Sequence, residues 1–192
     1  MRENFCFHCG TALTSQARGG RERPTCPECG QTVFGKFSVG AGGLLMQAGR
    51  ALIVQRGENP GKGRWTLPGG YVEEDETPDE AVVREFQEEV GLTVRVTDLL
   101  SVRNSIREAD QNAYYVFRVE LAGPLEIAID GHETVRAEFV TPAECDALGD
   151  VAPFTRWIIE HQAEGVGLHR VRDEARLVPL TGQRWALYAI TG

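Results

Sequence analysis

The sequence predicts an α+β fold preceded by a small cysteine-rich element, and three observations carry that expectation. Four of the five cysteines lie in the first 34 of 192 residues, where large aliphatic side chains are few. From Phe37 onward, strand-sized apolar runs recur between turn residues, and helical periodicity interrupts them without a regular βαβ alternation. One helical stretch, residues 78–90, carries punctuation at both ends.

Residues 1–34 hold a polar Gly/Arg insert, Thr14 to Arg23, and have no composition from which a core could form without a staple. Lys36 to Gln47 reads as a glycine-loosened strand, Ala48-Gly49-Arg50 as a hairpin turn, and Ala51 to Arg56 as the partner strand. Glu58 to Arg64, rich in Pro and Gly, is a loop. Thr77 is placed as an N-cap, Pro78 at the first helical position, and Glu80 completes a Thr-x-x-Glu capping box. Gly91 stops that helix. Leu92 to Val102, Ala113 to Leu121 and Val135 to Val140 read as strands, Thr141-Pro-Ala-Glu144 as the start of a second capped helix, and Pro153 as the start of a third. Around Thr181-Gly182 the tail reads as a β-hairpin. The expected organisation is therefore a cysteine element over 1–34, a main domain over 35–162 and a C-terminal extension over 163–192.

Composition narrows the class. Charged residues make up 25% and apolar ones 42%, the proportions of an ordinary globular protein rather than a disordered or fibrous one. The net charge of −8 argues against a general nucleic-acid coat. That charge is local. Gly70 to Leu92 holds nine acids (Glu73, Glu74, Asp75, Glu76, Asp79, Glu80, Glu85, Glu88, Glu89) and one base, Arg84, while the remainder carries nineteen of each and is neutral. The start lacks an apolar export signal and no stretch approaches 18 apolar residues, so the expectation is a cytoplasmic protein with reduced thiols and no membrane partner.

Cys6-Phe-His-Cys9 and Cys26-Pro-Glu-Cys29 form two Cys-x2-Cys pairs, each followed by glycine. Two residues between thiolates let one tight turn present both sulfurs to one ion, and four thiolates complete the tetrahedron that Zn²⁺ accepts. This spacing predicts a structural zinc ribbon with Cys6, Cys9, Cys26 and Cys29 as ligands. His8 is expected to stand aside, and Cys145 to be a buried or half-buried thiol.

On the helix at 78–90, Glu85, Glu88 and Glu89 fall within an arc of roughly 100°, with Val82, Val83, Phe86 and Val90 on the other side. Like charges at i, i+3 and i+4 destabilise an isolated helix by a few tenths of a kcal/mol per pair. A helix chosen for stability would interleave lysines, and this one has none. Hard oxygen donors clustered in this way suit Mg²⁺ or Mn²⁺ together with water and substrate phosphates.

The whole window resembles a known family. Gly70-x5-Glu76-x7-Arg84-Glu85-Phe86-x-Glu88-Glu89-x-Gly91-Leu92 matches every defined position of the Nudix box, and Trp65-Thr-Leu-Pro-Gly-Gly70 is similar to its usual lead-in. A four-cysteine ribbon directly ahead of such a domain resembles the subgroup that includes NADH, ADP-ribose and FAD pyrophosphatases. The resemblance implies a Nudix-type α/β/α sandwich that hydrolyses the pyrophosphate bond of a nucleoside diphosphate linked to another moiety.

It also implies roles. Glu85, Glu88 and Glu89, with the Gly70 carbonyl, would hold Mg²⁺ or Mn²⁺. Arg84 would orient a neighbouring carboxylate, and Glu76 would brace the junction of loop and helix. An in-line attack by metal-activated water is expected, with Glu88 or Glu89 nearest to it and Glu133 as the other candidate base. Arg103 and Arg107 are candidates for phosphate contact, and Tyr114 or Trp65 for stacking on a base. The Ser-Gln-Pro array of NADH-type relatives has no match in Ser101 to Glu108. The ribbon-plus-box arrangement points to ADP-ribose, FAD or a related dinucleotide. The alternatives are a house-cleaning hydrolase of (d)NTPs or oxidised nucleotides, and a nucleotide-sensing regulator without catalysis. An intact box argues against the last, as does a ribbon with four arginines against three acids before its thiolates are counted. The ribbon is expected to pack on the catalytic domain or in a homodimer interface.

Overall fold

A computed structural model describes residues 4–35, 37–106, 111–161, 168–170 and 188–189. The chain divides into two compact units, Met1–Phe37 with Ile106–Gln111, and Ser38–Ser105 with Asn112–Gly192.

The first unit contains two matching knuckles and a hairpin. The Gly10 N–H donates to the Cys6 carbonyl (2.8 Å) and the Gly30 N–H to the Cys26 carbonyl (3.1 Å). Both glycines are left-handed, at φ 73° and 74°, which only a residue without Cβ adopts freely. Between the knuckles, the stretch read as a polar insert forms strands β1 (Thr14–Arg18) and β2 (Arg21–Thr25), paired antiparallel across Gly19-Gly20. Both strands are mostly polar, so no apolar alternation announces them.

The second unit is a nine-stranded sheet with one helix on each face. Its strands are β3 (Phe37–Gln47), β4 (Arg50–Arg56), β5 (Trp65–Thr66), β6 (Gly69–Tyr71), β7 (Val94–Ile106), β8 (Gln111–Leu121), β9 (Thr134–Val140), β10 (Leu168–Arg170) and β11 (Tyr188–Ala189). The order is β11-β10-β7-β8-β3-β4-β5, with β6 on β3 and β9 on β4. The β3–β4 hairpin turns at Ala48-Gly49, both at positive φ, with Gln47 opposite Arg50.

Alternation along the strands sorts the core into two layers. Leu45, Leu52 and Phe117 pack with Ala81, Val82, Phe86 and Val90 of α1 (Pro78–Val90). Leu44, Ile53 and Val116 pack with Ile158 and Ile159 of α2 (Pro153–His161). This is the expected α/β/α arrangement. α1 starts at Thr77, whose N–H donates to Glu80 (2.8 Å), and ends where the left-handed Gly91 donates to Gln87.

One expectation changes. The helix expected after Thr141 is a short 3₁₀ turn, Glu144–Leu148. Its capping box forms, with the Thr141 N–H on Glu144 (2.8 Å), but Gly149 at φ 88° ends the turn before an α-helix can propagate. In the tail, β10 pairs antiparallel with both β11 and β7, and the turn expected at Thr181-Gly182 lies outside the described residues. Among the described residues, no helix is long and apolar enough to cross a membrane.

Candidate functional sites

The four cysteines converge. Their ligand atoms all lie within 4.8 Å of one another, with Sγ···Sγ separations of 3.6 Å (Cys6–Cys29), 3.5 Å (Cys9–Cys26) and 3.8 Å (Cys9–Cys29). Four thiolates at about 2.3 Å from one zinc ion would stand about 3.8 Å apart, so the donor set fits a tetrahedral ion. None is paired in a disulfide. The Thr11 hydroxyl and backbone N–H bring the Cys9 thiol down to about 6, while burial and the three neighbouring thiols push Cys29 up to about 12. His8 is exposed and outside the cluster, and Cys145 is a buried thiol of the α2 layer.

The acidic site is assembled on α1 and the β6 strand. Antiparallel pairing sets Gly69 opposite Gly42 and Gly70 opposite Ala41. A Cβ on Gly69, at φ +149°, would fall 2.3 Å from the Ala41 carbonyl oxygen, and one on Gly70 would fall 2.2 Å from Glu85 Oε1. Only glycine fits at 69, hard against the β3 backbone, and the Gly69 N–H lies 2.9 Å from Glu89 Oε2.

Arg84 joins loop to helix. Its Nε and Nη2 donate to the two oxygens of Glu76 (3.0 and 2.6 Å), Nη2 also to the Tyr71 carbonyl (3.0 Å), and Nη1 to Glu85 (2.9 Å) and Glu88 (2.8 Å). The bidentate Arg84 pair holds the Glu76 carboxyl below its usual range. Glu85 and Glu89 go the other way. Burial, with residues only 8% and 7% exposed, outweighs Arg84 at Glu85 and raises it. Burial likewise outweighs the Gly69 N–H at Glu89 and pushes it up to about 8, with Glu85 adding repulsion.

The helix therefore differs from the expected division into an apolar face and an opposed acidic face. Glu85 and Glu89 lie inside the buried arc, flanked by Ala81 and Val82, while Val83 is half-buried and Glu88 is exposed. Arg84 links Glu85 and Glu88, while Glu89 accepts the Gly69 N–H; among the described residues the group of metal-ligating side chains already gathered within 4.8 Å of one another is the cysteines.

The remaining expected residues are distributed as follows. Glu133 is exposed in the loop before β9, and its charge adds a minor part to the rise at Glu85 and Glu89. The Tyr114 ring covers Gly40 and Gly42 of β3: an added Cβ at Gly42 would fall 2.4 Å from its hydroxyl oxygen. Burial raises the Tyr114 phenol, and Glu89 and Glu85 raise it further, so it borders the acidic site. Arg103 stands 5.3 Å from the ring centres of both Tyr114 and Phe154, and its Nη2 donates to Asn112 (2.7 Å). Its Nε is buried with no partner among the described residues.

Trp65 needs correction: it is 1% exposed in the α2 layer with Arg136 over its ring, which leaves no open face for a base. Arg107 lies outside the described residues.

One residue escaped the sequence reading. The Arg56 charge opposes the rise at both Glu89 and Tyr114, and its Nε donates to the Pro60 carbonyl at 3.0 Å. The available signal was an arginine ending an apolar strand just before a Gly/Pro loop.

Comparison with known proteins places this geometry in context. A family model described as the NUDIX domain matches residues 36–162. The ADP-ribose pyrophosphatase of Methanocaldococcus jannaschii is 46% identical over 68 residues, which is 35% of this chain and 40% of that protein's own length. A MutT-like protein of Streptomyces ambofaciens is 33% identical over 142 residues, covering 72% of this chain and 85% of that protein. Among solved structures, a NUDIX hydrolase from Nitrosomonas europaea superposes with a TM-score of 0.71 at 25% identity, covering 87% of this chain and 95% of that one.

Proposed function

The chain belongs to the NUDIX family of hydrolases, and on that footing we propose that it cleaves the pyrophosphate bond of a nucleoside diphosphate linked to another moiety, with ADP-ribose, FAD or a related dinucleotide as substrate. One observation carries the reading: Glu85 and Glu89 are buried carboxylates that Arg84 and the Gly69 N–H only partly compensate, beside an exposed Glu88. Their hard oxygens suit Mg²⁺ or Mn²⁺ and the unmet negative charge calls for a cation.

In this reading Glu85, Glu88 and Glu89, with the Gly70 carbonyl, hold the ion. A divalent cation held there would offset polyphosphate charge and activate water. Arg84 fixes Glu85 and Glu88, and its bidentate bond to Glu76 braces the β6–α1 junction. Glu88 or Glu89 takes the proton of the attacking water, with Glu133 as the other candidate. Arg56 and Arg103 supply positive charge towards the phosphates, and Tyr114 forms a wall of the substrate site. The zinc ribbon is structural. The name of the archaeal relative supports an ADP-ribose-type substrate, although the match spans less than half of that protein.

The test is a panel of ADP-ribose, FAD, NADH and an oxidised dGTP, with products identified by mass. Cleavage between the two phosphates of a dinucleotide is expected. Release of pyrophosphate from the dGTP analogue alone would replace this reading with the house-cleaning one. At saturating Mg²⁺, Glu88→Gln is expected to lose at least about 100-fold in kcat, a typical contribution for a group acting on the proton in flight. Retention of most activity would refute that role.

A further inference from the structure

One cation of the sheet is held in place without a counter-ion. Arg103 on β7 is half-buried, and its Nη2 donates to the side-chain oxygen of Asn112 on β8 at 2.7 Å. Asn112 is itself fixed, because its amide donates to the Ser38 hydroxyl at 3.0 Å. The guanidinium carbon stands 5.3 Å from the centres of both the Tyr114 and the Phe154 ring, and those rings meet edge to face at 6.3 Å. Nε is buried with no partner, and among the described residues no carboxylate pairs with this arginine. A desolvated cation that meets only two rings and one amide is undercompensated. Tyr114 also connects it to the acidic site. Its ring lies along β3, where an added Cβ would fall 2.7 Å from Cδ2 at Gly40 and 2.4 Å from the hydroxyl oxygen at Gly42. The same oxygen would lie 2.9 Å from a Cβ on Gly69, whose N–H holds Glu89.

We propose that Arg103 is a specificity-determining residue that anchors a phosphate group of the nucleotide without help from a metal ion, with Asn112, Tyr114 and Phe154 fixing its orientation. The inference deepens the proposed hydrolysis and rests on it for the identity of the ligand. The carboxylates of α1 repel a free phosphate, so a group that binds the anion directly has to stand apart from them, as Arg103 does across the Tyr114 ring. A planar guanidinium can offer parallel N–H groups to two phosphate oxygens, which an ammonium cannot. Fixing the side chain beforehand lowers the entropy lost on binding. An arginine kept for packing would use only its stem, and methionine would serve as well.

Calorimetric titration of AMP and of adenosine into the full-length protein in EDTA tests it, since neither turnover nor a divalent ion is then involved. The wild type is expected to bind AMP at least about 10-fold more tightly than adenosine, the share of hydrogen bonds to a charged group. Arg103→Met keeps an apolar stem and removes the charge, and should weaken AMP binding by about 10- to 100-fold. Arg103→Lys should fall between Met and wild type, because it keeps the charge without the fork. Without ligand, Arg103→Met should melt no lower than wild type, since an undercompensated cation has been removed. No AMP binding by the wild type, equal binding of AMP and adenosine, or a Met variant that binds AMP as tightly as wild type would each overturn the proposal. A lower melting point for Arg103→Met would show that the rings and Asn112 already satisfy the guanidinium, and would overturn it as well. A chain that cleaves nothing in the substrate panel yet loses AMP affinity in Arg103→Met would refute the hydrolysis and leave the anchor standing. Cleavage of the panel with AMP affinity unchanged in Arg103→Met would do the reverse.

Discussion

Replacing Glu89 with glutamine should stabilise the metal-free protein and at the same time disable it. Glu89 is 7% exposed and pushed up to about 8, chiefly by burial. An acid whose folded value is raised binds its proton more tightly in the folded state, so stability is greatest below the unfolded value near 4.5 and declines as pH rises towards 8. At pH 7 the unfolded chain has released a proton that the folded one keeps. At about 1.4 kcal/mol per pH unit this costs the fold on the order of 3 kcal/mol. Glutamine has the same shape, can accept the Gly69 N–H through its carbonyl oxygen, and carries no charge to bury. Thermal unfolding in EDTA should therefore show Glu89→Gln melting about 6–12 °C above wild type at pH 7, at about 2–4 °C per kcal/mol for a chain of this size. The gap should shrink towards pH 5, and it should narrow when Mg²⁺ or Mn²⁺ is added, since only wild type gains a ligand for the ion. A variant no more stable than wild type in EDTA, or a gap independent of pH between 5 and 8, would refute the claim that this carboxylate is held against its solvation.

Three further outcomes follow from the same geometry. Cys26→Ser should abolish stoichiometric zinc measured by elemental analysis and unfold the knuckles as read by amide exchange, because Cys6, Thr25 and Cys26 are the only buried residues among those described in 4–35. Arg84→Ala should destabilise by on the order of 3 kcal/mol in urea titrations, since it strips the partner from Glu76 and Glu85, whose side chains are 12% and 10% exposed. Arg84→Lys should recover less than half of that loss, because one ammonium cannot reproduce a bidentate bond and the contact with the Tyr71 carbonyl. Gly43→Ala would drive a Cβ to 2.5 Å from Phe86 Cε2 and 2.9 Å from Val82 Cγ1, and should cost about 1–3 kcal/mol by overpacking the contact between β3 and α1.

What could be read from the sequence was whatever spacing alone determines. The knuckles at Cys6 and Cys26 are local turns, and so are the caps of α1 at Thr77 and Gly91, so each could be inferred from a few adjacent residues. What escaped depends on partners distant in the chain. Trp65 is an exposed-looking aromatic beside a loop until β9 brings Arg136 over it. Arg56 acquires its place only when β4 and β9 pair across about eighty residues of chain. The β1–β2 hairpin was missed for a different reason: both strands are polar, and Gly19-Gly20 reads equally as a linker.

The helical wheel failed in an instructive way at α1. It sorts residues by chemical type and assumes that carboxylates face water, yet Glu85 lies against Gly70 and Glu89 accepts the Gly69 N–H of β6. That placement gives the local charge of Gly70–Leu92 its physical meaning. With nine acids and one base, the segment has a single guanidinium, which already bonds three carboxylates and a carbonyl. A second lysine or arginine within reach would relieve the buried repulsion and stabilise the helix. It would also occupy the oxygens on which a divalent cation depends. The unrelieved charge is thus a cost to folding that a bound cation would remove, which couples the stability of this helix to the chemistry proposed for it.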